Sequence, residues 1–235
     1  LVPDEMGALV AGVAEGCRQA GCALVGGEMA EMPGLYSPAE FDLAGFCVGL
    51  VEKDAIIDGS RVEAGDAVLG LASSGVHSNG YSLVRRILES QKVSLTDRFP
   101  LSERSVGEEL LEPTRIYVRS VLGLLERGIP VRAMAHVTGG GLAGNLSRVI
   151  PEGLSARLRL GSWNVPRLFR TLQEMGSVSD TEMRRTFNMG VGFVVVVARD
   201  SAKHATQLLE QAGETVIALG KVVRGEEPVV VEGLA

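Results

Sequence analysis

Ser73-Ser74-Gly75-Val76-His77-Ser78-Asn79-Gly80-Tyr81-Ser82-Leu83 is the stretch on which the reading of this chain turns. Ahead of it, Ala67-Val68-Leu69-Gly70-Leu71-Ala72 has the apolar character of a short buried strand. Behind it, Leu83, Val84, Ile87 and Leu88 recur on one helical face. A strand, a small polar loop and an amphipathic helix in that order place backbone N–H groups at a helix N-terminus, where phosphate and other anions are favoured. Ser78 and Asn79 are good capping residues, Gly75 and Gly80 permit the turn, and His77 is one of only three histidines. Caps and turn residues alone would give the same composition, so the ligand reading leans on the rest of the chain.

At 235 residues with 46% hydrophobic content, the chain can bury one large core or two modest ones. Its net charge of -6 and the lack of a Lys/Arg cluster beyond pairs such as Arg85-Arg86 argue against nucleic-acid binding. Aromatic residues are 4%, too few for base stacking across a sheet. Cys17, Cys22 and Cys47 are too few for a disulfide framework and lack histidines at metal-ligand spacing, so they read as buried thiols. The longest apolar run, Phe193 to Ala198, is far short of a bilayer span, and no charged n-region with an apolar h-region opens the given sequence. A cytoplasmic protein without membrane partners is expected.

Outward from the central loop, the pattern alternates helix and strand. Pro3, Asp4 and Glu5 start a helix carrying Met6, Val10, Val13 and Cys17, which stops at Gly21. Strands are expected over 22–27 and 41–51, and a domain boundary near residue 60 divides 1–60 from 61–235. The chain reads as beginning inside its first domain. Residues 92–110 look polar and irregular, Pro113 opens a helix, and Val131–Val137 is a strand running into Thr138-Gly139-Gly140-Gly141. A strand around Leu158 precedes helices over 165–175 and 180–187. A β-branched run at 193–197 suits a central strand, a helix covers 201–212, and two strands finish an α/β or α+β domain.

Glycine-containing loops recur at 26–34, 75–80, 138–141 and 188–192, but none has the Walker A or dinucleotide pattern. Glu28 and Glu31 flank a glycine pair at the end of an expected strand. Such a carboxylate can join phosphate oxygens around Mg²⁺, and solvated surface acids are the plain alternative. His77 and His136 each close an apolar segment beside a glycine loop, so either can shuttle a proton or hydrogen-bond an oxyanion, unless it is a core histidine. His204 reads as surface, and Trp163 as packing.

The strings GGEMAEMPGLY, FDLAGFCVG, SSGVHSNGYSLVRRIL, EPTRIYV, AHVTGGGLAGNLSRVIP and RTFNMGVG occur in this order. Together they resemble the phosphoribosylformylglycinamidine cyclo-ligase, or AIR synthetase, family over nearly the whole chain. The resemblance implies a two-domain fold. Residues 1–60 would be the end of a dimerising, ATP-binding first domain, and 61–235 an α/β second domain with a mixed sheet covered by helices. It implies ATP-dependent ring closure of formylglycinamidine ribonucleotide to aminoimidazole ribonucleotide, ADP and phosphate, in which the formyl oxygen is phosphorylated before a nitrogen attacks the activated carbon. Positioning and charge neutralisation dominate such phosphoryl transfer.

Carried onto this chain, the resemblance assigns His77 and Asn79 to catalysis. It assigns Gly26, Gly27, Glu28, Ser78, Gly80, Thr138, Gly139, Gly140 and Asn188 to binding ATP or substrate, with Glu28 also at Mg²⁺. It implies a homodimer. An opening Gly-Thr-Asp-Gly-Val-Gly-Thr-Lys type motif and a later Asn-Asp motif are absent here, and Met29 stands where the family usually has threonine. The expectation is that this fragment alone is inactive; a scaffold or regulatory relative, or a sister ATP-using enzyme such as formylglycinamidine ribonucleotide synthetase or selenophosphate synthetase, is the alternative.

Overall fold

The apolar run before the central loop forms β1 (Ala67–Ala72), buried on both faces because Val68, Leu69 and Leu71 alternate between two helical layers. The structure is a computed structural model that describes residues 2–37 and 40–233. The chain divides into two compact units, 1–56 and 57–235, each described by itself.

In the second unit, β1 lies inside a six-stranded sheet with β2 (Val131–His136), β3 (Leu154–Arg159), β4 (Val191–Val197), β5 (Val216–Arg224) and β6 (Val229–Glu232). The order is β2-β4-β1-β5-β3-β6. Neighbours are antiparallel except β3 and β6, so the sheet is mixed, as expected. On one face Leu69, Leu71, Val195 and Val197 pack against α4 (Val118–Glu126) and α8 (Ala202–Gln211). On the other, Val68, Val194, Val196 and Leu219 meet Leu146 of α5 (Gly141–Leu146). The helices α2 (Tyr81–Gln91), α3 (Val106–Leu110), α6 (Arg167–Gly176) and α7 (Asp180–Thr186) share a further apolar cluster around Phe169 and Phe187.

Two local expectations are corrected here. The polar interval 92–110 contains α3, started by a reciprocal capping box in which Ser105 accepts from the Glu108 N–H. The helix expected from Pro113 begins only at Val118, because residues 112–116 run past the central loop without regular secondary structure and Ser74 donates to the Pro113 carbonyl.

In the first unit, α1 (Pro3–Ala20) has Pro at its first turn and Gly21 in a left-handed C-cap at φ 78°. The strands expected over 22–27 and 41–51 are not formed, and the only regular pairing among the described residues there is a bridge between Pro33 and Tyr36. A strand is defined by a partner's backbone, and apolar alternation cannot supply one. No described residue of 2–56 is buried, and Val25, Phe46, Val48 and Leu50 stand exposed. The buried-thiol expectation fails for the same reason: Cys22 and Cys47 are exposed and Cys17 is half-buried.

Candidate functional site

At the end of β1 the chain turns into α2 through residues 73–80, and His77 adopts a left-handed backbone conformation at φ 61°. That conformation costs a non-glycine residue about 1–2 kcal/mol. Its ring is 3% exposed and faces into the fold. The Ser74 N–H donates to His77 Nε2 at 3.1 Å and the Arg115 N–H approaches the same atom at 3.5 Å. With Nε2 accepting, the neutral ring carries its proton on Nδ1, an atom that is buried without a partner. Burial, reinforced by the charge of neighbouring His136, holds the His77 pKa down to about 4. The ring is therefore neutral at physiological pH. Strained backbone and an unpaired buried donor at one residue mark a site where something other than stability has shaped the structure.

The walls of this ring are aromatic. Tyr117 and His136 lie with ring centroids each 6.3 Å from that of His77. Tyr117 donates its hydroxyl to the Ala72 carbonyl at 2.8 Å, and burial pushes its pKa up, so it stays a neutral phenol. Gly192 makes room for both: a Cβ there would lie 2.0 Å from the Tyr117 hydroxyl oxygen. Arg115 reaches the other way, donating to Glu214 Oε2 at 2.6 Å and to the Gly213 carbonyl at 2.6 Å, while Ser120 donates to Glu214 Oε1 at 2.6 Å. This ion pair ties the segment 112–116 to the turn between α8 and β5, while Ser74 and Ser78 hold the segment against the loop. Arg115, Tyr117 and Glu214 were not singled out from sequence; the string EPTRIYV was the only signal for the first two, and Glu214 had none.

The remaining residues of the central loop differ in what they leave free. Ser78 is exposed and its hydroxyl lies 3.1 Å from that of Thr114. Asn79 Oδ1 accepts the Gly139 N–H at 3.2 Å, joining this loop to the triple-glycine loop. Gly80, at φ 82°, is the N-cap of α2 in place of Ser78 or Asn79, and a Cβ there would meet Phe187 at 2.4 Å. The N–H groups of Gly75 through Gly80 donate to no backbone acceptor among the described residues. A run of free N–H groups at a turn is what an anion needs.

The triple-glycine loop is built differently. The Gly140 N–H donates to the Arg185 carbonyl and the Gly141 N–H to that of Thr138, so these donors are spent inside the protein. The Thr138 hydroxyl donates to Asn145 Oδ1 at 3.0 Å, and Asn145 Nδ2 donates to the carbonyls of Thr138, Gly139 and Gly141. Asn188 is likewise a buried clamp. Its Oδ1 accepts from the Ser73 hydroxyl and the Gly190 N–H, and its Nδ2 donates to the carbonyls of Gly75 and Val76. It holds the shape of the central loop. A cleft of about 290 Å³ opens beside that loop, lined by Ser73, Ser74, Gly75, Ser102, Glu109 and Arg167 among others.

The structure thus brings His77, Ser78, Asn79, Gly80, Thr138, Gly139, Gly140 and Asn188 together in the second unit. Gly26, Gly27 and Glu28 belong to the first, in an exposed segment without regular secondary structure. Among the described residues no three His, Cys, Asp or Glu side chains gather to hold a metal ion.

Comparison with known proteins agrees with this architecture. Residues 63–232 match the family model "AIR synthase related protein, C-terminal domain", and 2–51 match that of the N-terminal domain. A phosphoribosylformylglycinamidine cyclo-ligase of Sorangium cellulosum is 55% identical over 92% of this chain and 63% of its own length. That of Pseudothermotoga lettingae is 49% identical over 98% of this chain and 68% of its own. The chain therefore spans about two thirds of the relatives it matches. Among solved structures, the hydrogenase maturation protein HypE in complex with ATP superposes with a TM-score of 0.53 at 18% identity, covering 77% of this chain and 51% of that one. Thiamine-monophosphate kinase from Stenotrophomonas maltophilia K279a gives 0.51 at 20% identity, over 75% and 53%. These two show the fold alone. With a family model across 170 consecutive residues and half-identical relatives along almost all of its length, the chain belongs to the phosphoribosylformylglycinamidine cyclo-ligase, or AIR synthetase, family.

Proposed function

We propose that this protein takes part in the ATP-dependent ring closure of formylglycinamidine ribonucleotide to aminoimidazole ribonucleotide, ADP and phosphate. The observation that carries the reading is the central loop, where free N–H groups from 75 to 80 adjoin a neutral, strained His77. The name shared by relatives at about half identity supplies the reaction, and a structural neighbour solved with ATP supports nucleotide use.

In this reading the residues divide by what they have left to offer. The N–H groups of 76–80, with the exposed Ser78 hydroxyl, neutralise phosphoryl oxygens by position alone. Asn79 sets the spacing between the two loops, and Thr138, Gly139 and Gly140 shape the opposite wall. Asn188 keeps the first loop in register. His77 acts as a neutral hydrogen-bond donor through Nδ1, since a ring with a pKa near 4 is not an imidazolium acid at neutral pH. Glu28, an exposed carboxylate between glycines and methionines, suits Mg²⁺, which takes one or two carboxylates and fills its shell with phosphate oxygens and water. Magnesium held there would supply positive charge that neutralises phosphate oxygens. Exposed Val25, Phe46, Val48 and Leu50, on backbone lacking strand partners, support self-association into a homodimer. No helix among the described residues is long and apolar enough to cross a membrane, and a cytoplasmic enzyme is the location this reading proposes.

The test, run on the full-length protein, is ADP release that depends on formylglycinamidine ribonucleotide. His77→Ala should cut the rate by roughly 10²–10⁴-fold, the range for a positioned proton-handling group, with a far smaller proportional effect on thermal stability. Substrate-independent ADP release, or none, rejects the reaction; equal turnover of variant and parent removes His77 from it.

A further inference from the structure

The strand that delivers His77 at one end opens onto a second cavity at the other. Ala64 and Gly65 lead into β1, Ala67 pairs in register with Lys221 of β5, and α8 begins at Ala202 after a short turn at Arg199. Between them lies a pocket of about 520 Å³, lined by Arg199, Lys221 and Arg224 around an apolar floor that includes Ala67, Ala202 and Val223. That volume falls within the usual range of small-molecule sites, roughly 300–1,000 Å³. No acidic side chain lines it.

The charged side chains that line this pocket are all of one sign. Several cations of the second unit are matched: Arg115 with Glu214, Arg132 with Glu63 and Asp66, Arg157 with Glu232, and Arg184 with Asp180. Arg199, Lys221 and Arg224 form no ion pair and no side-chain hydrogen bond among the described residues. Yet the chain has 29 acidic against 23 basic residues and could have supplied partners. Like charges collected around one cavity repel until an anion enters. Two of them are arginine, whose planar fork matches phosphate oxygens two at a time.

We propose that this pocket is a second ligand site, which binds a phosphate-bearing molecule the size of a mononucleotide. The phosphate sits among Arg199, Lys221 and Arg224, and the body lies on Ala67, Ala202 and Val223. Its place at the far end of β1 separates it from the His77 loop, so it holds whether or not the ring-closing reading does.

Titration calorimetry with AMP tests it. The parent should bind AMP saturably, inorganic phosphate should compete, and Lys221→Gln/Arg224→Gln should weaken AMP at least about tenfold, as losing charge-assisted contacts to an anion requires. Asn79→Ala, in the other loop, should leave this AMP affinity unchanged. The three cations are exposed, so circular dichroism should show the double variant folded; if it does not, Arg199→Gln gives the same reading singly. AMP affinity unchanged in the cation variants, AMP binding lost in Asn79→Ala instead, failure of phosphate to compete, or binding only of a longer polyanion such as an RNA oligonucleotide would each overturn the proposal.

Discussion

Acidification should weaken this fold through His77, and the size of the loss follows from the ring's surroundings. The side chain is 3% exposed, and burial with His136 nearby lowers its pKa from 6.5 to about 4. Between those values the unfolded chain binds a proton that the folded chain refuses, so the unfolded state carries more protons and stability falls as pH is lowered. Relative to about pH 7.5, linkage gives a loss through this one ring of about 1.3 kcal/mol near pH 5.5 and about 2.5 kcal/mol near pH 4.5. Below about pH 4 the folded ring also charges and the loss levels off. Any water reaching the ring trims these figures, which are upper bounds. The comparison protein is His77→Asn, because asparagine tolerates the left-handed backbone at this position. Carboxylates and His136 titrate in both proteins and largely cancel in the difference. Urea denaturation followed by fluorescence of Trp163 reads the right unit: it is the only tryptophan, and its indole N–H donates to the Met189 carbonyl at 2.9 Å. If parent and variant lose the same stability from pH 7.5 to 4.5, His77 is not held neutral by its burial and the argument fails.

Two further outcomes follow from the supports of the loop. Glu214→Gln leaves Arg115 without its carboxylate in a site where Glu214 is 6% exposed. About 2–3 kcal/mol of stability should be lost in urea melts, and because Arg115 holds the segment against His77, the rate of substrate-dependent ADP release should fall too. Gly141→Ala sets a Cβ 1.7 Å from the Arg184 carbonyl oxygen at φ 65°. The thermal midpoint should drop by several degrees, as a strained overpacked site implies, and a variant as stable as the parent would mean that this loop is not latched as described.

Much of the second unit is legible without coordinates. The apolar run 67–72, the β-branched run 193–197 and the amphipathic faces after Gly80 and Gly141 specify strands and helices through burial, a local property of composition and period. The loop at 73–80 was legible for the same reason, being the polar interruption between two apolar elements. Where local cues misled, tertiary contact was the cause. Gly80 caps α2 because Phe187 occupies the space a Cβ would need, and the helix after Pro113 starts late because Arg115 is drawn to Glu214.

The order of elements, the mixed α/β class and the concentration of small polar residues around His77 were determined by the sequence itself, since each depends only on near neighbours along the chain. Tertiary structure decided the rest. Asn145 and Asn188 became clamps, the triple-glycine donors were spent within the protein while those of 75–80 stayed free, and Arg199 met Lys221 and Arg224 of β5 at one pocket. Whether a donor or a charge is satisfied depends on which distant atom folds against it, and no window of sequence contains that partner.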